Sequence, residues 1–136
     1  MADLTITAAN VVAGTGAVKE TGIAGATITA GQVVYRDPSD SKFKLADADN
    51  AAVAVRSPIG IALAGAAASQ PLTIVTSGPV TIGATMTAGL VYYLSPNPGG
   101  IAPVADVLAG DDVVVVGVAT STTVLRVGIV ISGVTL

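Results

Sequence analysis

Oxygen-bearing side chains cluster in one stretch of the chain, and clusters of this kind can bind calcium. The cluster consists of Asp37, Asp40, Asp47, Asp49 and Asn50. Its spacing lacks the glycine and the terminal glutamate of a known calcium loop, so we predict solvated turns rather than a metal site. For the same reason we predict that Asp111 and Asp112 form a solvated hairpin turn.

A second pattern with chemical potential is the glycine loop Gly14-Thr15-Gly16, which precedes Lys19. Its spacing matches neither a P-loop nor a dinucleotide fingerprint, and no helical pattern follows it. The chain has no His and no Cys, so the usual general base is absent and nothing is available to activate the many Ser and Thr hydroxyls. We therefore predict no catalytic, cofactor-binding or metal-binding residues, no cofactor, and no enzymatic activity.

Composition argues against two classes of partner. The 136 residues carry six basic and nine acidic side chains, a net charge of −3. The bases are scattered, whereas binding to nucleic acid requires clustered Lys and Arg. The longest apolar runs, Val113–Ala119 and Ile59–Ala68, are shorter than the ~20 residues of a membrane helix. We expect neither a nucleic-acid nor a membrane partner, and the first ten residues lack the features of a secretory signal.

The elements that must position these residues are short β-strands. Val, Ile and Thr dominate, and 16 Gly and 7 Pro interrupt the chain at short intervals. Period-two alternation is present in Leu4–Thr7, in Lys42–Leu45 and in the odd-numbered residues of Leu125–Ile131. Val113–Val116 does not alternate, which predicts a strand covered on both faces. The fold class expected is all-β, a compact barrel or sandwich with little helix.

An internal repeat suggests how this β-structure closes. Residues 25–35 read GATITAGQVVY and residues 83–93 read GATMTAGLVYY, with eight of eleven positions identical at an offset of 58. Further on, Ile59–Ala62 matches Val116–Ala119 at an offset of 57, and Ile74–Gly78 matches Ile129–Gly133 at an offset of 55. We predict a single β domain, residues 23–136, built from a first unit (about 23–78) and a second unit (about 81–133) that cover each other's apolar faces.

Other positions have predicted roles. The Ala-Gly pairs at 30–31 and 88–89 should form tight turns in which glycine takes a positive φ. Tyr35 and Tyr93 should occupy equivalent positions at the rim of the core, with the ring buried and the hydroxyl in water. Residues 1–22 lie outside the repeat and are expected to form an extended arm that docks on a partner, by strand addition to its sheet.

The phrases ITAGQVVYRDPSDSKFKLADAD, VYYLSPNPGGIAPVAD and VGVATSTTVLRVGIVISG resemble small virion structural proteins of tailed bacteriophages, in particular capsid decoration (cement) proteins. The resemblance covers most of the chain and lies in the style and order of these phrases. It implies a small β-rich virion protein, often a homotrimer, that is assembled in the host cytoplasm, binds the major capsid protein on the capsid surface and stabilises the capsid lattice. It implies no catalytic residues.

Two other functions are compatible with the sequence. One is a structural module of a phage tail, baseplate or fibre. The other is a carbohydrate- or receptor-binding β module, although aromatic residues, which form sugar platforms, make up only 3% of the chain. Charged residues make up 11%, less than half of the usual fraction of about 25%. A surface so poor in charge favours a protein that works inside an ordered assembly.

Overall fold

The protein is almost entirely β-structure, as the computed structural model of residues 3–136 establishes. Strands account for 46% of it, and the predicted fold class is confirmed. The strands are β1 (Val11–Ala13), β2 (Val18–Ile23), β3 (Val33–Arg36), β4 (Phe43–Leu45), β5 (Gly60–Ala62), β6 (Pro71–Ile82), β7 (Val91–Leu94), β8 (Ile101–Pro103), β9 (Asp112–Ala119) and β10 (Val124–Thr135). Two 3₁₀ turns complete the secondary structure, Ala8–Asn10 and Val104–Asp106. Between residues 3 and 136 there is no helix of a length and hydrophobicity suited to crossing a membrane.

All ten strands belong to one antiparallel sheet that curls into a half-barrel. Its main path runs β4-β3-β5-β6-β10-β9-β7-β8, and β1 and β2 pair additionally with β6. The path has the same form from both ends, because β4, β3, β5 and β6 of the first unit correspond in order to β8, β7, β9 and β10 of the second. The two halves meet where β6 pairs with β10.

The two halves also repeat individual strand pairings. Val33 pairs with Ile61 in the first unit, as Val91 pairs with Val118 in the second. In the same way, Val34 pairs with Gly60 and Tyr92 pairs with Gly117. The two glycines meet the same obstacle, since a Cβ atom at Gly60 would collide with the Val75 carbonyl oxygen and one at Gly117 with the Arg126 carbonyl oxygen. This close approach of two backbones explains why both positions are glycine.

The turn that precedes β3 recurs before β7. Gly31 has a φ of 91° and Gly89 a φ of 86°, which confirms the predicted positive φ at both positions. The Gly31 N–H donates to the Ala62 carbonyl at 2.8 Å, and the Gly89 N–H donates to the Ala119 carbonyl at 2.7 Å. Each turn therefore fastens the start of one strand to the end of the strand beside it.

The third matched block of the repeat does not correspond in the structure. Ile61 pairs with Val75, whereas Val118 pairs with Arg126. Val75 is thus equivalent to Arg126 and not to Val130, the residue that the offset of 55 predicts. The reason is loop length, since residues 63–70 connect β5 to β6 but only residues 120–123 connect β9 to β10. The exact limits of the two units stay a prediction.

The segment before the repeat packs on the rest of the chain. The Leu4 N–H donates to the Ile101 carbonyl at 2.9 Å and the Thr7 N–H to the Gly83 carbonyl at 2.8 Å. Strands β1 and β2 both pair with β6. The strand addition that we expected of residues 1–22 therefore takes place within this chain, while docking of the segment on a partner stays a prediction. Residues 1 and 2 lie outside the described residues.

Two hydrophobic cores lie on the sheet. The main core fills the space between the two units and includes Val33, Tyr35, Ile61, Val75, Tyr92, Leu94, Val114, Val116, Ala119 and Leu125. A smaller core covers the opposite face of the first unit and contains Ala24, Ile28, Val34, Phe43, Ala62, Ala66, Leu72 and Ile74. The first unit is therefore packed on both faces, whereas the second contributes to the main core alone.

This arrangement corrects one prediction for the second unit and limits another. Val114 and Val116 are fully buried, but Val113 and Val115 are only partly covered, so the expected burial of this strand on both faces is wrong. In β10 the predicted apolar face is covered as far as Ile129, since Leu125 and Val127 are buried and Ile129 packs against the main core. Ile131 pairs with the buried Val114 but is itself 46% exposed.

Candidate interaction surface

The outer face of the second unit is an apolar sheet surface over which no layer of residues 3–136 packs. Val91 pairs with Val118, and Val118 pairs in turn with Arg126, so these three side chains lie side by side on one face. Tyr93, Val115 and Val130 form a second row across the same three strands. We call this surface the open face, and its residues are Leu90, Val91, Tyr93, Val104, Val115, Val118, Arg126 and Val130.

Exposure and groove geometry support this description. Val118 is 39% exposed, Leu90 48% and Val130 59%. A groove runs along the margin of the face and is lined by Leu90, Val91, Tyr93, Pro103, Val104 and Ala105. Single exposed apolar side chains are common on proteins, but a contiguous apolar patch usually marks an interaction site.

The equivalent positions of the first unit are buried. Val91, Tyr93, Val118 and Arg126 correspond to Val33, Tyr35, Ile61 and Val75. Those four residues belong to the main core and are between 0% and 7% exposed. Three of the four positions are apolar in both units, so the second unit has the side chains of a buried layer at positions that residues 3–136 leave uncovered.

The tyrosines illustrate the difference. We predicted equivalent surroundings for Tyr35 and Tyr93, and this is wrong. Tyr35 is buried in the main core, and burial raises the pKa of its hydroxyl. Tyr93 lies half-buried on the open face, and its neighbour Tyr92 enters the core instead, where its hydroxyl accepts a hydrogen bond from the Thr87 N–H at 3.0 Å.

An uncharged strand edge adjoins the open face. The residues of β10 from Ile129 to Thr135 pair with β9, and within residues 3–136 no strand pairs with their other edge. Val130, Ile131 and Val134 are all about half exposed there, and the segment holds no charged side chain. Exposed edges usually carry charges or other features that prevent pairing with a second chain. Here a register shift between Ile131 and Thr135 and the positive φ of Gly133, 71°, interrupt the edge.

The acidic cluster separates into two parts, of which the first is an ion-pair network. Lys44 Nζ donates to Asp37 Oδ2 at 2.6 Å and lies 3.2 Å from Asp40 Oδ2. This bond, together with donation from the Ser39 N–H, lowers the pKa of Asp37 to about 2. The Lys42 N–H lowers the pKa of Asp40 in the same way. In this part of the cluster, the Lys44 ammonium group therefore supplies the positive charge that balances Asp37 and Asp40.

The second part is a turn near the junction of the two units. The Asp49 N–H donates to Asp47 Oδ1 at 3.2 Å, and the Ala52 N–H donates to Asn50 Oδ1 at 2.9 Å. Burial raises the pKa of Asp47 to about 6, and the neighbouring Asp49 adds to the effect. Among residues 3–136 no three His, Cys, Asp or Glu side chains are placed to hold a metal ion.

Asp111 and Asp112 do not form the solvated turn that we predicted, because both are buried, at 4% and 6% exposure. The Leu108 N–H donates to Asp111 Oδ2 at 2.9 Å. Arg56 Nη1 donates to Asp112 Oδ1 at 2.9 Å, and the Thr135 hydroxyl bonds to the same oxygen. This ion pair ties the loop before β5 to the second unit, and its two members are too far apart in the sequence for spacing to indicate the contact.

Comparison with known proteins assigns no family to this arrangement: no protein-family model matches the chain, and no curated protein matches it.

Proposed function

We propose that this protein is a non-enzymatic virion structural protein that decorates the surface of a phage capsid and stabilises the major capsid lattice. The proposal begins with the resemblance of its sequence phrases to capsid decoration proteins. The observation that carries it further is the open face, an uncovered apolar sheet surface on a domain with few charges. A domain of this kind suits permanent assembly better than free diffusion.

In this proposal the partners are the major capsid protein and further copies of the same chain. The resemblance implies a homotrimer on the outside of the capsid, formed in the host cytoplasm and retained in the virion. Each copy needs only a modest interface with the capsid, because many copies act on one lattice and each bound copy stabilises the assembled state by mass action. Function by assembly requires no catalytic group, and the ion pairs described above serve the fold.

The test is a binding experiment with mature capsids of the phage that encodes this chain. Purified protein is mixed with capsids that lack it, and the bound fraction is measured by co-sedimentation and located by cryo-electron microscopy. We expect saturable binding at regular positions on the capsid and a higher temperature of capsid disruption. Failure to bind would contradict the proposal. Label on the tail, the baseplate or a fibre of the intact virion would favour a structural role there instead.

A further inference from the structure

We infer that the open face is the surface through which one copy of this chain contacts a second copy. The inference rests on the self-association that forms part of the proposed function. It adds the location of the contact, on β7, β9 and β10 of the second unit.

The first support is the internal repeat. In the first unit, the residues equivalent to Val91, Tyr93 and Val118 are covered by a β layer of this same chain, the inner face of the second unit. That layer presents residues such as Tyr92, Val116 and Leu125. The surface pattern of the open face is therefore one that β structure of this sequence already packs against.

The second support is the charge of the open face. Arg126 is the one charged member of its eight residues. When copies of one chain are arranged around a symmetry axis, each charge on the contact face recurs in every copy, and like charges that come close repel one another. A face that carries a single cation, at the end of a long flexible side chain, imposes little repulsion on such a contact.

The third support is the degree of hydrophobicity. Val104 and Val130 are 64% and 59% exposed on one copy, beside Leu90 and Val118. Permanent contacts between identical subunits are more apolar than contacts that form late in assembly. A decoration protein also exists free before it reaches a capsid, and covering this face in an oligomer would keep it soluble meanwhile. We therefore assign a second copy, rather than the capsid, to the open face.

The experiment measures the native mass of the full-length chain by sedimentation velocity and native mass spectrometry. The test variant is Val118→Glu, which places a carboxylate in the centre of the face at a position that is already exposed. The matched control is Val53→Glu, the same substitution at a valine that is 67% exposed in a loop outside the face. Leu90→Glu provides a second test variant on β7's side of the face, in case Val118→Glu alters the fold as judged by circular dichroism.

We expect the wild type and Val53→Glu to be oligomers of equal mass, and Val118→Glu to dissociate with a dissociation constant raised roughly a hundredfold. A wild type that stays monomeric at the highest attainable concentration would overturn the inference. So would a test variant that keeps the wild-type mass, or a control that dissociates equally. Loss of capsid binding by a monomeric Val118→Glu, when the wild type is also monomeric, would assign the face to the capsid and leave the proposed function intact.

Discussion

The two units share their strand pairings and differ in how many of their faces are covered. In the first unit Val34 and Ile74 belong to the smaller core while Ile61 belongs to the main core, so that both faces are packed. In the second unit only one face is packed, and Val118 lies in the open. Backbone geometry thus repeats wherever hydrogen bonds and glycines dictate it. Burial depends instead on which other parts of the chain lie above each face.

The largest expected difference between the units concerns Ile61 and Val118, which occupy equivalent positions. Ile61→Ala removes a fully buried side chain from the main core and should lower the free energy of unfolding by about 3 kcal/mol. Val118→Ala truncates a partly exposed side chain and should cost less than about 1 kcal/mol in the monomer. Urea denaturation followed by circular dichroism measures both. Equal costs would contradict the contrast between a covered and an open face.

The glycine turns give a smaller difference. Alanine at Gly89 has to adopt a positive φ but meets no atom within 4 Å, so we expect a cost of about 1 kcal/mol. Alanine at Gly31 meets the same backbone strain and also approaches Ile6, with 2.6 Å between the new Cβ and the Ile6 methyl group. Gly31→Ala should therefore destabilise more than Gly89→Ala, by about another 1 kcal/mol. If the contact causes that difference, Gly31→Ala should cost less in an Ile6→Ala background, which lacks this methyl group, than in the wild type.

The smallest effect concerns pH and the junction between the units. Asp47 lies near Asp111 of the second unit, and its pKa is raised to about 6 in the folded protein. The folded state then binds more protons than the unfolded state between pH 4 and 6, so stability declines as pH rises through this range and the contribution is absent above it.

Asp47→Asn should abolish this decline and stabilise the protein at pH 7 to 8 by about 1 kcal/mol. Thermal unfolding at a series of pH values measures the effect. Asp49→Asn is the matched control, because it removes the neighbouring carboxylate and should lessen the decline without abolishing it. A pH profile of Asp47→Asn identical to the wild-type profile would show that Asp47 ionises normally.

Local patterns in the sequence were enough for the fold class and for the repeated turns. Gly31 and Gly89 could be predicted because a tight turn with positive φ depends on adjacent residues. The register of β10 could not, because a loop four residues shorter shifts the equivalence of Val75 from Val130 to Arg126. The segments Ile74–Gly78 and Ile129–Gly133 have similar sequences, so an alignment by sequence alone pairs them and misses that shift.

Long-range contacts account for the remaining errors. Asp112 sits in an apparent turn sequence, yet it is buried against Arg56. The alternation rules indicate which residues share a face, but not whether a layer of the fold reaches that face. Tyr35 and Tyr93 therefore occupy the same position in the repeat but have different surroundings. The candidate surface itself became apparent only when the burial of the two units was compared.

Strand β6 has one more consequence, for the order in which the protein folds. It pairs with β1 and β2 on the amino-terminal side of the sequence and with β10 on the carboxy-terminal side. The hairpins β3–β4 and β7–β8 close over short distances along the chain and can form early, whereas β6 has to bring together segments that are separated by long loops. The pairing of β6 with these strands should therefore limit the folding rate. Until this pairing is complete, the chain exposes long apolar strands with unpaired edges.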